Sequence, residues 1–300
     1  MSKHHQVTAA VLYPSANIIG EGPVWHAARN SFYWIDIEGK KLHEMQWADK
    51  QVRVWDMPQR IGMVVVTDDG NLIVALQDGL AKFDFKTETL EWLIDVEKDI
   101  ANNRANDGKC DSKGRLWLGT MDVQATQSRG ALYCVDGNST KKQLDLLTIP
   151  NGLAWSADDT FFYFIDSPQR RIDAYLFDAA AGIIVFERTV IIVPEPMGMP
   201  DGMCIDEEGM LWVAHWGGYC VARWNPETGE LLSRIELPVS QVSSCVFGGK
   251  NLDQLFITTA RIGLSGDELE KHPASGHVFI AEPAVRGLAA NRYKQTSAML

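Results

Sequence analysis

Along the chain, short apolar runs come in pairs. A glycine or small residue opens a first run, and eight to eleven residues later a second run of β-branched and aromatic residues begins. The openers are Gly22, Gly62, Gly108, Gly152, Gly202 and, less cleanly, Ser244. The second runs start at Phe32 (FYWID), Leu72 (LIVAL), Leu116 (LWLGT), Phe162 (FYFID), Leu211 (LWVAH) and Leu255 (LFITT). Successive openers stand 40, 46, 44, 50 and 42 residues apart, a period that marks stacked supersecondary units. Between the paired runs lie polar clusters such as Thr67-Asp68-Asp69-Gly70, Asp111-Ser112-Lys113-Gly114 and Asp206-Glu207-Glu208-Gly209. Such clusters favour tight turns between antiparallel strands.

A third run follows in each unit (KLHEMQW, LAKFDF, ALYCVD, RIDAYLF, CVARWN, HVFIAE), and usually a fourth (VRVWDM, LEWLID, KQLDLL, IVFERTV, LLSRIEL). Four strands in a repeat of this length predict an all-β fold, a six-bladed β-propeller with four-stranded antiparallel blades over roughly residues 16–290. The sixth unit lacks a fourth strand of its own, while Val7 to Tyr13 is a strand-like run without a blade. Closure of the ring by this N-terminal strand is therefore expected. Six blades use nearly all of the 300 residues, which predicts one domain, 1–300, with no linker or second core.

Composition narrows the function. With 28 Lys and Arg against 39 Asp and Glu, the formal net charge is −11, which argues against nucleic acid, whose partners lean on a basic face. No stretch approaches the roughly 18 apolar residues of a membrane span, and the N-terminus (MSKHHQVT) lacks the apolar centre of a signal peptide. The five cysteines, Cys110, Cys134, Cys204, Cys220 and Cys245, are odd in number and without CxxC spacing. They read as buried free thiols in a reducing cytoplasm. His4 and His5 read as a solvated terminal pair.

In a propeller the innermost strand of each blade lines the central channel, so the residues just before the openers are comparable across blades. They are Glu21, Ile61, Asp107, Asn151, Asp201 and Ser243. Asp or Asn before Gly commonly makes a turn, but four oxygen-bearing side chains at one mouth are a different matter. Uncompensated carboxylates brought together raise one another's pKa, and a cation resolves the conflict. Oxygen ligands without nearby Cys or paired His suit a hard divalent ion, with Ca²⁺, Mg²⁺ or Mn²⁺ ahead of Zn²⁺.

The segments IGEGPVWHAARNSFYWIDIEGKKL, NRANDGKCDSKGRLWLGTMD, PNGLAWSADDTFFYFIDS and PDGMCIDEEGMLWVAHWGG resemble, in order, the regucalcin (senescence marker protein), gluconolactonase and luciferin-regenerating enzyme family. The resemblance spans roughly residues 16–290 and implies a six-bladed propeller holding one divalent ion, often with sugar-lactone hydrolysis. It implies that Glu21, Asn151 and Asp201 are the metal ligands, a set the repeat alignment also yields, save Asp107. It further implies that Arg104 and Asn106, in RANDGK, hold substrate. One departure stands out: where family members often carry a substrate-contacting Glu after GTM, this chain reads GTMDVQATQSRGALY, with Gln124 near that position and Asp122 close by.

Other candidates read as structural: His215 as a packing histidine, Asp166 as a brace of the mouth, Met197 and Met199 as packing near the pocket, and Trp34, Trp117, Trp155 and Trp212 as blade core. The expected function is cytoplasmic, metal-dependent hydrolysis of a sugar lactone, with Ca²⁺ first among ions and Zn²⁺, Mn²⁺ or Mg²⁺ as alternatives. Asp201 is the expected base; Arg104, Asn106 and Gln124 are the expected substrate contacts. No Ser-His-Asp or Cys-His set supports a covalent route. The rivals are a phosphotriester or ester hydrolase of the same propeller type, as in diisopropylfluorophosphatase-like and paraoxonase-like proteins, and a calcium-binding regulatory protein without turnover. The oligomeric state stays open.

Overall fold

The structure, a computed structural model, describes residues 7–295; His4 and His5 lie outside the described residues. Twenty-four strands form six four-stranded antiparallel sheets, five of them built from consecutive strands. The fold is the expected six-bladed propeller. The innermost strands are Gly20–His26, Ile61–Val66, Asn103–Cys110, Pro150–Trp155, Met199–Ile205 and Val242–Gly248, and each abuts the innermost strands of the blades on either side.

The gradient of polarity across each blade explains the arrangement. Second strands such as Ser31–Asp36 and Leu72–Leu76 are buried at every position because neighbouring blades cover both faces, so they read as unbroken apolar runs rather than alternating ones. The outermost strand Ser139–Leu147 has no buried residue. Large aromatics fill the seams: Trp25 stacks on Phe256 across blades six and one, and Trp117 meets Trp155 edge-on across blades three and four. Trp34, Trp117, Trp155 and Trp212 are all in the core.

The first-hairpin aspartates of two blades act as internal braces. Asp111 accepts from Trp117 Nε1 at 2.9 Å and from Arg115 Nε at 2.7 Å. Asp206 repeats the pattern with Trp212 Nε1 at 2.9 Å and Arg223 Nε at 2.7 Å. Each also accepts backbone N–H groups of its own turn, so one carboxylate fixes turn, next strand and third-strand or turn arginine together.

Blade six closes as expected, with a shorter strand: Ala10–Tyr13 pairs with Val278–Ala281, Ala10 opposite Ile280. Before it, Thr8 bridges to Glu236 of blade five. Two features went unanticipated. A short helix, Gly266–Lys271, begins at a capping box in which Ser265 and Glu268 satisfy each other's backbone N–H. The C-terminal segment then leaves blade six and crosses the end of the channel remote from the strand starts, bonding to Leu252 and Ile205 on one side and to Val66 and Gly114 on the other. All five cysteines are buried and free. Among the described residues no helix is long and apolar enough to cross a membrane.

Candidate functional site

Every innermost strand breaks register at the same level. The shifts fall at Glu21/Val24, Ile61/Met63, Ala105/Gly108, Asn151/Leu153, Pro200/Met203 and Val242/Ser244. A bulge leaves a residue unpaired and re-aims its side chain, and six in register make a ring of inward-turned positions. Glycine is required here by contact as well as by torsion. Gly152 has φ +34° and a Cβ there would stand 2.6 Å from Asp201 O, while a Cβ on Gly202 would land on the Ser244 side chain. The bulges let the blades approach closely at this level.

The ring does not treat its six members alike. Glu21, Asn151 and Asp201 line a cavity of about 220 Å³ together with Arg104 and Asn106, so five of the expected residues meet in one place. Asp107 instead lines a second cavity of about 250 Å³ toward the end crossed by the C-terminal segment. Ile61 is buried and apolar. Ser243 Oγ is committed to Gly20 O at 2.5 Å and lies 3.0 Å from Thr258 Oγ1. Gln124 is exposed on the turn after Met121 and is not among the lining side chains; Asp122 is buried and accepts from Thr126.

A hydrogen-bond network fixes the polar floor. Arg104 Nη1 donates to Ala105 O at 2.9 Å and to Asn106 Oδ1 at 2.7 Å. Asn106 Nδ2 donates to Pro150 O at 2.9 Å and Asn151 Oδ1 at 3.1 Å, and Asn151 Nδ2 donates to Ser167 Oγ at 3.0 Å. Glu21 Oε2 accepts from the Gly22 N–H at 2.8 Å and Asp107 Oδ1 from the Gly108 N–H at 2.7 Å. Asp201 Oδ1 and Asp107 Oδ2 are buried with no partner among the described residues.

These carboxylates are held in an unfavourable state. Burial first and Asp107 second push Glu21 up to about 8. Burial, then Glu21 and Asp107, push Asp201 well above the ordinary carboxylate range, and burial raises Asp107. Burial also pulls the Arg104 guanidinium down to about 10. Unpaired buried carboxylate oxygen costs free energy that a cation removes, and the donor set is all oxygen, which suits a hard ion. Among the described residues no three His, Cys, Asp or Glu side chains form a metal cluster by themselves. The oxygen donors of the repeat-derived ring that line this cavity are two carboxylates, Glu21 and Asp201, and the Asn151 amide oxygen.

The remaining structural candidates occupy the roles expected for them. His215 is buried, its Nδ1 3.0 Å from Met197 O and its Nε2 accepting from Trp224 Nε1. Asp166 accepts from the Ile149 and Thr148 N–H groups and braces the mouth. The cavity has further lining residues that were not singled out: Ile19, Ile37, Met121, Ile149 and Ser167. Their signal was in the repeat. Ile19, Ile149 and Met199 stand two residues before ring positions, and Ile37, Met121, Ser167 and Trp216 directly follow the second runs FYWID, LWLGT, FYFID and LWVAH.

A family profile, the SMP-30/gluconolactonase/LRE-like region, matches residues 19–261. Regucalcin of Homo sapiens is 37% identical over 281 residues, covering 91% of this chain and 94% of that protein. Among solved structures, a calcium-binding protein, regucalcin, from Agrobacterium tumefaciens superposes with a TM-score of 0.92 at 30% identity over 96% of this chain and 97% of that one. A luciferin-regenerating enzyme gives 0.91 at 31% identity over 96% and 99%.

Proposed function

The chain belongs to the SMP-30/gluconolactonase/LRE-like family, and from that membership we propose that it is a cation-dependent lactonase that opens a sugar lactone to the aldonic acid. The observation that carries the reading is the buried, partnerless Asp201 Oδ1 in a cavity shared with Glu21 and Asn151. Glu21, Asn151 and Asp201 would hold one divalent ion, Ca²⁺ before Mn²⁺, Mg²⁺ or Zn²⁺. When bound, the ion supplies Lewis acidity toward the lactone carbonyl, a contribution of several kcal/mol.

The chain's own residues do the rest. Asp201 takes the proton of the attacking water as its oxygen adds to the carbonyl carbon, then returns it to the ring oxygen as the C–O bond breaks. Arg104, with Nη1 committed to Ala105 O and Asn106 Oδ1 and Nη2 without a partner among the described residues, offers a rigid donor to the substrate. Asn106 is locked between Arg104, Pro150 and Asn151 and keeps the floor in register. Gln124, on its exposed turn, is the proposed contact for a hydroxyl at the mouth. The five unpaired thiols support a reducing, cytoplasmic setting.

The test is to strip divalent ions with chelator and then assay a lactone panel with Ca²⁺, Mg²⁺, Mn²⁺ and Zn²⁺ restored singly. Ion-dependent acid release supports the reading. The description of the Agrobacterium relative as calcium-binding favours one second reading, a calcium-binding regulatory protein; tight ion binding without turnover of any lactone would select it.

A further inference from the structure

Ser167 stands where the candidate ion ligand Asn151 is fixed. It directly follows the second strand of blade four, Phe161–Asp166, and its N–H donates to Ile149 O at 3.0 Å. Its side chain is buried on the wall of the cavity that Glu21, Asn151 and Asp201 line, and its Oγ accepts from Asn151 Nδ2 at 3.0 Å.

An amide side chain can present either end, and only its oxygen serves a cation. Which end Asn151 shows is decided by a chain of partners. Arg104 Nη1 can only donate, and it donates to Asn106 Oδ1 at 2.7 Å. Pro150 O can only accept, and it accepts from Asn106 Nδ2 at 2.9 Å. Asn106 is thereby locked with its NH₂ group toward Asn151, which answers with Oδ1 at 3.1 Å. The Nδ2 of Asn151 then lies on the far side, where Ser167 Oγ meets it. A hydroxyl can take either role, so Ser167 does not choose the orientation; it supplies the acceptor that the orientation set by Asn106 requires. Arg104, Asn106, Asn151 and Ser167 are all buried, so a partner lost from this chain is not replaced by bulk water.

Resting on Asn151 as an ion ligand, we infer that Ser167 is a positioning residue of the cation site. By holding Asn151 Nδ2 it keeps the amide oxygen turned to the ion, and it acts on ion affinity through Asn151. With the hydroxyl removed, the amide is tied on one side only, and any rotation that finds Nδ2 a new partner carries Oδ1 out of place.

The experiment titrates Ca²⁺ by calorimetry into the chelator-stripped full chain, as wild type, Ser167→Ala, Asn151→Asp, the double variant and Asn151→Ala. Ser167→Ala should raise the Kd for Ca²⁺ by at least about tenfold with an unchanged circular dichroism spectrum. In the Asn151→Asp background, where a carboxylate shows an oxygen whichever way it turns, the same substitution should raise the Kd by less than about threefold. An unchanged Kd in Ser167→Ala overturns the inference, and so does an equal loss in both backgrounds, because Ser167 would then act independently of the Asn151 amide. Asn151→Ala separates the two levels of the argument. A large loss there with none in Ser167→Ala refutes only the role of Ser167, whereas a wild-type Kd in Asn151→Ala removes the ligand set and the inference together.

Discussion

The clearest quantitative consequence of the floor is that the cation-free protein becomes less stable as pH rises. Glu21 titrates at about 8 folded against an ordinary 4.5, so between those values the folded state binds more protons than the unfolded one and stability falls with pH. Two buried histidines oppose this lower down. His43 and His215, each pushed down to about 4 from 6.5 by burial, favour unfolding below pH 6.5 and are silent above it. Lys50, mostly exposed and pulled down to about 8 by desolvation, acts only above that. The informative window is therefore pH 6.5 to 8. Across its 1.5 units Glu21 alone removes about 2 kcal/mol, at about 1.36 kcal/mol per unit, and Asp201 adds in the same direction. For 300 residues the unfolding entropy is about 0.6 kcal/mol/K, so Tm drops by about 3 °C. The assay is calorimetric unfolding in chelator at several pH values, repeated with saturating Ca²⁺ and with Asp107→Asn. Saturating cation should flatten the dependence, because the carboxylates are then ionised throughout, and Asp107→Asn should shrink it, because Asp107 is the chief charge acting on Glu21. A cation-free Tm that is flat or rises over this window, or an identical fall with cation, would refute the reasoning.

Asp201→Ala should abolish calorimetric ion binding and cut lactone turnover at least about 10²-fold with an unchanged circular dichroism spectrum; wild-type ion affinity in that variant would remove Asp201 from the ligand set. Gly202→Ala should cost about 1–3 kcal/mol in denaturant unfolding, and Ser244→Gly, which removes the side chain it strikes but leaves the Ser244 Cα 2.7 Å from the added Cβ, should recover only part of it. Asp111→Ala leaves the Arg115 guanidinium, 8% exposed, without its carboxylate and should destabilise by about 3–5 kcal/mol, read as a Tm lower by about 5–8 °C. Gln124→Glu should shift the ranking of lactones by kcat/KM without changing ion affinity, and an unchanged ranking would put Gln124 outside the substrate's reach.

Most of the ring was legible because the repeat exposes it. Aligning the openers brought Glu21, Asn151 and Asp201 together across 180 residues without any structural information, since a bulge recurs wherever an inner strand reaches that level. Reading the same alignment two residues earlier, or one residue past each second run, would have found Ile19, Ile149, Ile37, Met121 and Ser167 as well. Asp107 differs from the other ring positions because it shares its bulge, between Ala105 and Gly108, with Asn106: Asn106 lines the floor of one cavity and Asp107 lines the other. The C-terminal crossing was not legible. Gly287, Leu288 and Tyr293 are held by backbone bonds to Leu252, Ile205 and Val66, with Tyr293 alone of these in the hydrophobic core, and such bonds leave no period or apolar alternation to read.

Blade six draws on both ends of the chain, and this orders events at the ribosome. Ala10 finds its partner Ile280 only after 270 further residues have been made, which takes roughly 14 to 54 s at 5–20 residues per second. During that interval five blades can assemble by local hairpin contacts, but the first strand has nowhere to go. It must wait unpaired, an open edge of the kind that invites wrong partners, and any pause in synthesis between residues 242 and 281 prolongs the wait. Synonymous codon changes confined to that stretch would therefore alter the yield of closed rings while leaving every residue of the finished protein the same.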